Sequence, residues 1–170
     1  MKIQFKHQGF QRDAARAVVD VFRGQPLQDA FAYRMDAGKG RLQLETQGFR
    51  NHDILLSDEE LTHNIQEIQT GQDLKPIDRV LRDANGTPAL SIEMETGTGK
   101  TYTYIKTMYE LYKHYGWTKY IIVVPSVAIR EGVIKSFETM ADHFSEEYGE
   151  RMQHFVYDSS RLTAIDRFAS

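Results

Sequence analysis

The segment Glu95-Thr96-Gly97-Thr98-Gly99-Lys100-Thr101 has the residue types and the spacing to hold a polyphosphate. Gly97 and Gly99 carry no Cβ, so the backbone can curl and turn consecutive N–H groups onto phosphate oxygens. Lys100 supplies a mobile positive charge for β- and γ-phosphates and is the candidate catalytic residue. The Thr101 hydroxyl can complete a Mg²⁺ shell. The pattern of glycine, any four residues, then Gly-Lys-Ser/Thr is met except at its first position, where Met94 stands.

A loop of this kind needs a strand before it and a helix after it, so that the helix aims its unpaired N–H groups and positive dipole end at the phosphates. Both are predicted. Ala89–Met94 reads as a short buried strand and Gly99–Tyr115 as a helix with Ile105, Met108, Leu111, Tyr112 and Tyr115 on one face. The apolar run Tyr120–Val124, ended by Pro125, predicts a strand covered on both faces. A helix from Ser126 to about Phe144 and a short strand at His154–Tyr157 follow. This alternation predicts an α/β fold with right-handed crossovers and a parallel sheet flanked by helices.

Upstream, Phe10, Ala14, Val18 and Val21–Phe22 recur at helical spacing, with Arg12, Asp13, Arg16, Asp20 and Arg23 on the other face. Gly24 and Pro26 end that helix. Ala30–Met35 and Arg41–Thr46 read as a hairpin around the turn residues Asp36–Gly40. Ser57-Asp58-Glu59-Glu60 matches a capping box, predicting a helix through Leu61, Ile65 and Ile68 that stops near Gly71. From Gly71 to Pro88 the expectation is loop, with one short helix at Ile77–Leu81. The predicted organisation is therefore a helix over 1–26, a hairpin and helical insertion over 27–88, and a phosphate-loop core over 89–170.

Bulk properties limit the partners. The 170 residues are 41% hydrophobic and 26% charged with net charge -3, so the chain as a whole does not attract nucleic acid electrostatically. With no cysteine, disulfides and cysteine-ligated zinc are excluded. The N-terminus lacks the apolar core of a secretory signal, and Tyr120–Pro125 is far short of the roughly 20 residues that cross a bilayer. The expected location is cytoplasmic, with no membrane partner. The six histidines show no metal-ligand spacing. Glu138, Asp142, Glu146, Glu147 and Glu150 read as a solvated acidic face.

The octet from Met94 to Thr101 resembles motif I of superfamily 2 helicases and translocases, which commonly replace the first glycine. It resembles more closely the restriction (Res) subunit of type III restriction–modification enzymes, where a glutamate before Thr-Gly-Thr-Gly-Lys-Thr and a following Tyr-Thr-Tyr are characteristic, as in Glu95 and Tyr102-Thr103-Tyr104. Val123–Gly132 looks like motif Ia of the same family. The N-terminal helix with Phe10-Gln11 resembles its adenine-reading segment, and Val156–Ser160 also resembles that family.

The resemblance implies a partial RecA-like motor domain, the ATP-binding part of an endonuclease subunit that couples ATP hydrolysis to movement on double-stranded DNA, with Mg²⁺ as cofactor and a methyltransferase subunit as partner. It implies that Gln11 meets the adenine edge, that Glu95, Thr96, Gly97, Thr98, Gly99, Lys100 and Thr101 form the ATP site, and that Ser126 touches a DNA phosphate. Contacts of the latter kind position a protein without reading sequence. Asp158 ends an apolar stretch where a magnesium carboxylate could stand, but Ser159 follows where a water-activating glutamate would be. In the family it resembles, Asp-Glu-x-His would come beyond Ser170, so the chain is expected to bind ATP without hydrolysing it. Two other readings are a small P-loop kinase, disfavoured by Met94 and the lack of an arginine-rich lid, and a non-catalytic nucleotide-binding interaction module.

Overall fold

The computed structural model of the chain describes residues 5–27, 35–36, 48–49 and 51–157. Its first helix, α1 (Gly9–Val21), buries Ala15, Val19 and Val21, followed by Phe22. That stripe sits one residue on from the expected one, and Phe10 is 50% exposed. Adjacent helical residues differ in direction by about 100°, so two neighbouring apolar stripes compete and packing decides between them. The chosen rotation turns Gln11, four residues before Ala15, toward the protein.

The C-terminal end of α1 is closed by a distant side chain. Asn64 Nδ2 donates to Val21 O at 3.0 Å and to Arg23 O at 2.9 Å, and the Arg23 guanidinium donates to Asn64 Oδ1 at 3.1 Å. These bonds satisfy carbonyls that a helix end leaves unpaired. Buried Gln25 then joins the end of α1 to residues 53–55, donating to Asp53 O at 3.1 Å and accepting from Leu55 N at 2.8 Å.

Two short strands, β1 (Met35–Asp36) and β2 (Gly48–Phe49), pair antiparallel with Met35 opposite Phe49. The hairpin expected over 30–35 and 41–46 falls mostly outside the described residues. Helix α2 (Asp58–Gly71) begins with the predicted capping box: Glu60 N donates to Ser57 Oγ at 3.2 Å and Ser57 N to Glu60 Oε2 at 2.8 Å. Leu61 is fully buried, with Ile65 and Ile68 packed beside it. The short helix expected at 77–81 is absent. Instead Arg82 and Pro88 bridge across a turn in which Asp83 Oδ1 accepts from Asn85 N and Thr87 N at 2.8 and 2.9 Å. An aspartate that can bond its own downstream backbone favours a turn over a helix.

Helix α3 (Lys100–Tyr115) is flanked by Gly99 and Gly116, both left-handed with φ 87° and 76°. It packs against α1 on one side and α4 (Val127–Tyr148) on the other, while α2 packs on α1. Leu111 and Tyr115 join Val19, Phe22, Leu61 and Trp117 in one apolar cluster. Ile105, Met108 and Tyr109 join Phe137, Met140 and Phe144 in another. Tyr120 packs against both and donates its hydroxyl toward Met108 O and Trp117 O at 3.0 and 2.8 Å. Helix α4 runs past the expected end near Phe144 to a left-handed Gly149 cap.

The expected parallel sheet is not found. Among the described residues the only sheet is the β1–β2 pair, and 89–94, 120–124 and 154–157 run without ladder partners. Ile121 and Val123 are 81% and 86% exposed, which contradicts a strand covered on both faces. An apolar run expresses a tendency to be buried, whereas a strand exists only where a neighbour takes up its N–H and C=O groups. The prediction of a RecA-like sheet is therefore corrected: the described part is a four-helix arrangement with extended connections. No helix among the described residues is long and apolar enough to cross a membrane.

Candidate functional site

The phosphate-type loop lies between the extended residues 89–94 and the first turn of α3. Gly97 and Gly99 have φ 82° and 87°, the left-handed region where a side chain costs about 1–2 kcal/mol. Gly99 is constrained twice, because a Cβ there would lie 2.4 Å from Gln11 Nε2. At Gly97 a Cβ would meet nothing within 4 Å, so only the backbone angle requires glycine.

Three donors converge on one main-chain oxygen of the loop. Thr98 Oγ1 reaches Glu95 O at 2.6 Å, Lys100 Nζ at 2.9 Å and Thr98 N at 3.4 Å. Lys100 is thus folded back over the loop. Gly99 caps α3 without a side-chain hydrogen bond, so the first-turn N–H groups are not capped from the N-cap position. Thr101 is half-buried in that turn. Main-chain donors, an ammonium and a hydroxyl at one helix start fit a magnesium-bound polyphosphate.

Gln11 is brought to this loop from 87 residues away, its Nε2 donating to Thr98 O at 2.8 Å. Ser126 is the N-cap of α4: its Oγ accepts from Ile129 N at 3.3 Å and its carbonyl from Arg130 N at 3.0 Å. Those bonds tie it to α4, and none of them joins it to the loop. Asp158 lies outside the described residues.

Sequence reasoning missed a polar cluster next to the loop. Lys106 is buried on α3, its ammonium paired with Glu147 of α4, 2.9 Å from Tyr148 Oη and 3.9 Å from Glu110. Tyr148 in turn donates to Glu110 at 2.6 Å, and burial followed by Glu110 pushes its phenol well above the ordinary range. Glu147 is therefore part of an ion pair and not merely one of a solvated acidic row. The only signal available was the i,i+4 spacing of Tyr102, Lys106 and Glu110, and of His143 and Glu147, on helices whose pairing the sequence does not state.

Tyr102 Oη lies 3.0 Å from His143 Nε2. Burial, with Glu147 adding to it, pushes the Tyr102 phenol up to about 12. Burial also holds His143 below its usual value, against the opposing pull of Glu147. A cavity of about 280 Å³ opens here, lined by His7, Gly9, Arg12, Tyr102, Lys106 and Glu147 among others.

A helix-start loop with a lysine and two left-handed glycines has the geometry of a class of loops that can hold a phosphate. The comparisons narrow that class. The family model described as "Type III restriction enzyme, res subunit" matches residues 53–164, and the chain belongs to that family. It is 32% identical over 114 residues to the type III restriction-modification enzyme EcoPI Res subunit of Escherichia phage P1, covering 65% of this chain and 11% of that protein. It is likewise 32% identical over 115 residues to the EcoP15I Res subunit of Escherichia coli, with the same coverages. Over 62 residues it is 48% identical to the StyLTI Res subunit of Salmonella typhimurium, covering 35% of this chain and 6% of that one. The matched stretch thus spans about a tenth or less of each relative's length.

Proposed function

We propose that this chain is the nucleotide-binding part of a type III restriction endonuclease subunit, a helicase-like motor that works with ATP and Mg²⁺ on double-stranded DNA beside a methyltransferase subunit. The observation that carries the nucleotide reading is the convergence of Gly97, Gly99, Lys100 and Gln11 at the start of α3. In this reading the N–H groups from Thr96 to Thr101 hold the phosphates and Lys100 leaves Glu95 O to neutralise their charge. Thr101 offers its hydroxyl to the magnesium ion, and Gln11 reads the adenine edge. Ser126 contacts a DNA phosphate. When bound, the nucleotide supplies the energy of its terminal phosphoanhydride to motion on DNA in the full enzyme. Family membership supports the DNA and methyltransferase parts of the reading.

Calorimetric titration of the chain with ATP and Mg²⁺ tests it. Saturable binding that weakens at least roughly tenfold in Lys100→Ala is expected, since a charge-assisted contact contributes on the order of 1.5–3 kcal/mol. Equal binding by the variant would overturn the site. No strong apolar strand of the sequence ends in an Asp-Glu pair, so the bound ATP is expected to persist. Steady-state phosphate release that vanishes in Lys100→Ala would contradict that part.

A further inference from the structure

Helix α3 buries Tyr102, Tyr109 and Tyr115, and each of these phenols has a partner. Tyr102 Oη lies 3.0 Å from His143 Nε2, Tyr109 Oη accepts from Met152 N at 3.0 Å, and Tyr115 Oη donates to Val19 O at 2.9 Å. Tyr104 differs. Its Oη is also shielded from water, yet it makes no hydrogen bond among the described residues. A buried hydroxyl left unpaired is costly, so such an atom in a native fold asks for a partner.

The ring of Tyr104 packs against the apolar cluster that α3 shares with α4, which holds it in place. Side chains on a helix lean back over the preceding turn, and for Tyr104 that turn holds Thr101, three residues earlier. Burial pushes the Tyr104 phenol above its ordinary value, and the Thr101 hydroxyl pulls against it. A neighbour that favours the ionised phenol does so by offering a proton. Thr101 therefore approaches Tyr104 Oη as a donor without completing a hydrogen bond.

We infer that Tyr104 is a positioning residue for magnesium: its Oη accepts the hydrogen of the Thr101 hydroxyl and so holds that hydroxyl's oxygen toward the metal of the bound nucleotide. The inference rests on the nucleotide reading above and adds to it the group that orients Thr101. A hydroxyl whose oxygen lies on a cation has its hydrogen left to give, and the charge of the cation makes that hydrogen a stronger donor. Partners of this outer kind fix the orientation of a metal ligand. Tyr104 Oη, buried and unpaired one turn along α3, is the acceptor at hand.

The test is titration of the 170-residue chain with ATP, in Mg²⁺ and in excess EDTA, for the native chain, Tyr104→Phe, Thr101→Val and the double variant. The native chain is expected to bind ATP more tightly with Mg²⁺. Tyr104→Phe keeps the ring and should weaken binding in Mg²⁺ roughly three- to tenfold, the range of one neutral hydrogen bond, with binding in EDTA unchanged. In the Thr101→Val background it should weaken binding no further. Without nucleotide, Tyr104→Phe should melt at or above the native temperature, because it removes a hydroxyl that has no partner. A lower melting temperature would give that hydroxyl a structural role and overturn the inference. So would native binding indifferent to Mg²⁺, or a Tyr104→Phe effect that is nil, equal in EDTA, or undiminished beside Thr101→Val. Each of these leaves the phosphate site standing, whereas failure of the native chain to bind ATP in either medium brings down both readings.

Discussion

Gln11 Nε2 donates to Thr98 O at 2.8 Å, across 87 residues of sequence, and the same nitrogen occupies the space that a Cβ on Gly99 would need. The glycine and the glutamine are therefore one feature. Gly97→Ala should cost about 1–2 kcal/mol through its backbone angle alone. Gly99→Ala should cost about 1 kcal/mol more, because Gln11 must swing away and lose its bond. In a Gln11→Ala background the two glycine variants should become equal. Urea unfolding of the four chains checks this, and a persistent gap between them would show that Gln11 is not the obstacle.

The ion pair of Lys106 and Glu147 joins α3 to α4, with side chains 7% and 27% exposed. Lys106→Met alone leaves the Glu147 carboxylate without its ammonium partner while it stays mostly shielded from water. It should destabilise by roughly 2–4 kcal/mol, near the lower part of the range for broken buried pairs because water still reaches Glu147. Lys106→Met with Glu147→Leu should recover much of that loss. A double variant as unstable as the single one would mean that packing, and not the stranded charge, sets the cost.

His143 carries a pH dependence whose sign is fixed. Burial lowers its folded-state value below the ordinary 6.5, with His7 and Lys106 also lowering it and Glu147 and Glu146 opposing. The folded state then binds fewer protons than the unfolded state in this range. The contribution is fully present above about pH 6.5 and is lost as pH falls toward the lowered folded value. Melting temperatures should drop between pH 7.5 and 5.5, and the drop should be smaller in His143→Gln. An equal drop in both chains would place the titration elsewhere.

Asn64 closes α1 through two carbonyls. Asn64→Leu is close in size but leaves Val21 O and Arg23 O without those donors, which should cost about 2 kcal/mol. Asn64→Asp, which cannot donate when ionised, should be at least as damaging. Thermal unfolding of both variants is the measurement, and a neutral Leu substitution would refute the capping role.

The sequence was most legible where a local rule had a local answer. The capping box of Ser57 and Glu60 starts α2 where it was expected, and Gly99 and Gly116 bracket α3 because each adopts a left-handed angle. Pairing was not legible. The run at 120–124 has the composition of a buried strand, yet Ile121 and Val123 face solvent, since composition carries no information about which neighbour supplies the ladder. The same limit hid the polar cluster: Lys106 and Glu147 stand 41 positions apart, and each reads alone as a surface charge. Family resemblance singled out Gln11 for an adenine edge, but its bond to Thr98 O was not legible, because one glutamine on a charged helix has no distinguishing pattern.

The central place of α3 also governs how the molecule comes apart. One apolar cluster holds its C-terminal half against α1 and the other holds its face against α4. Removing that rod exposes both clusters at once, so neither side has a wall of its own on which to survive. Amide hydrogens near Ile105 and Met108 should accordingly exchange with solvent only through global opening, and they should be the last in the chain to do so.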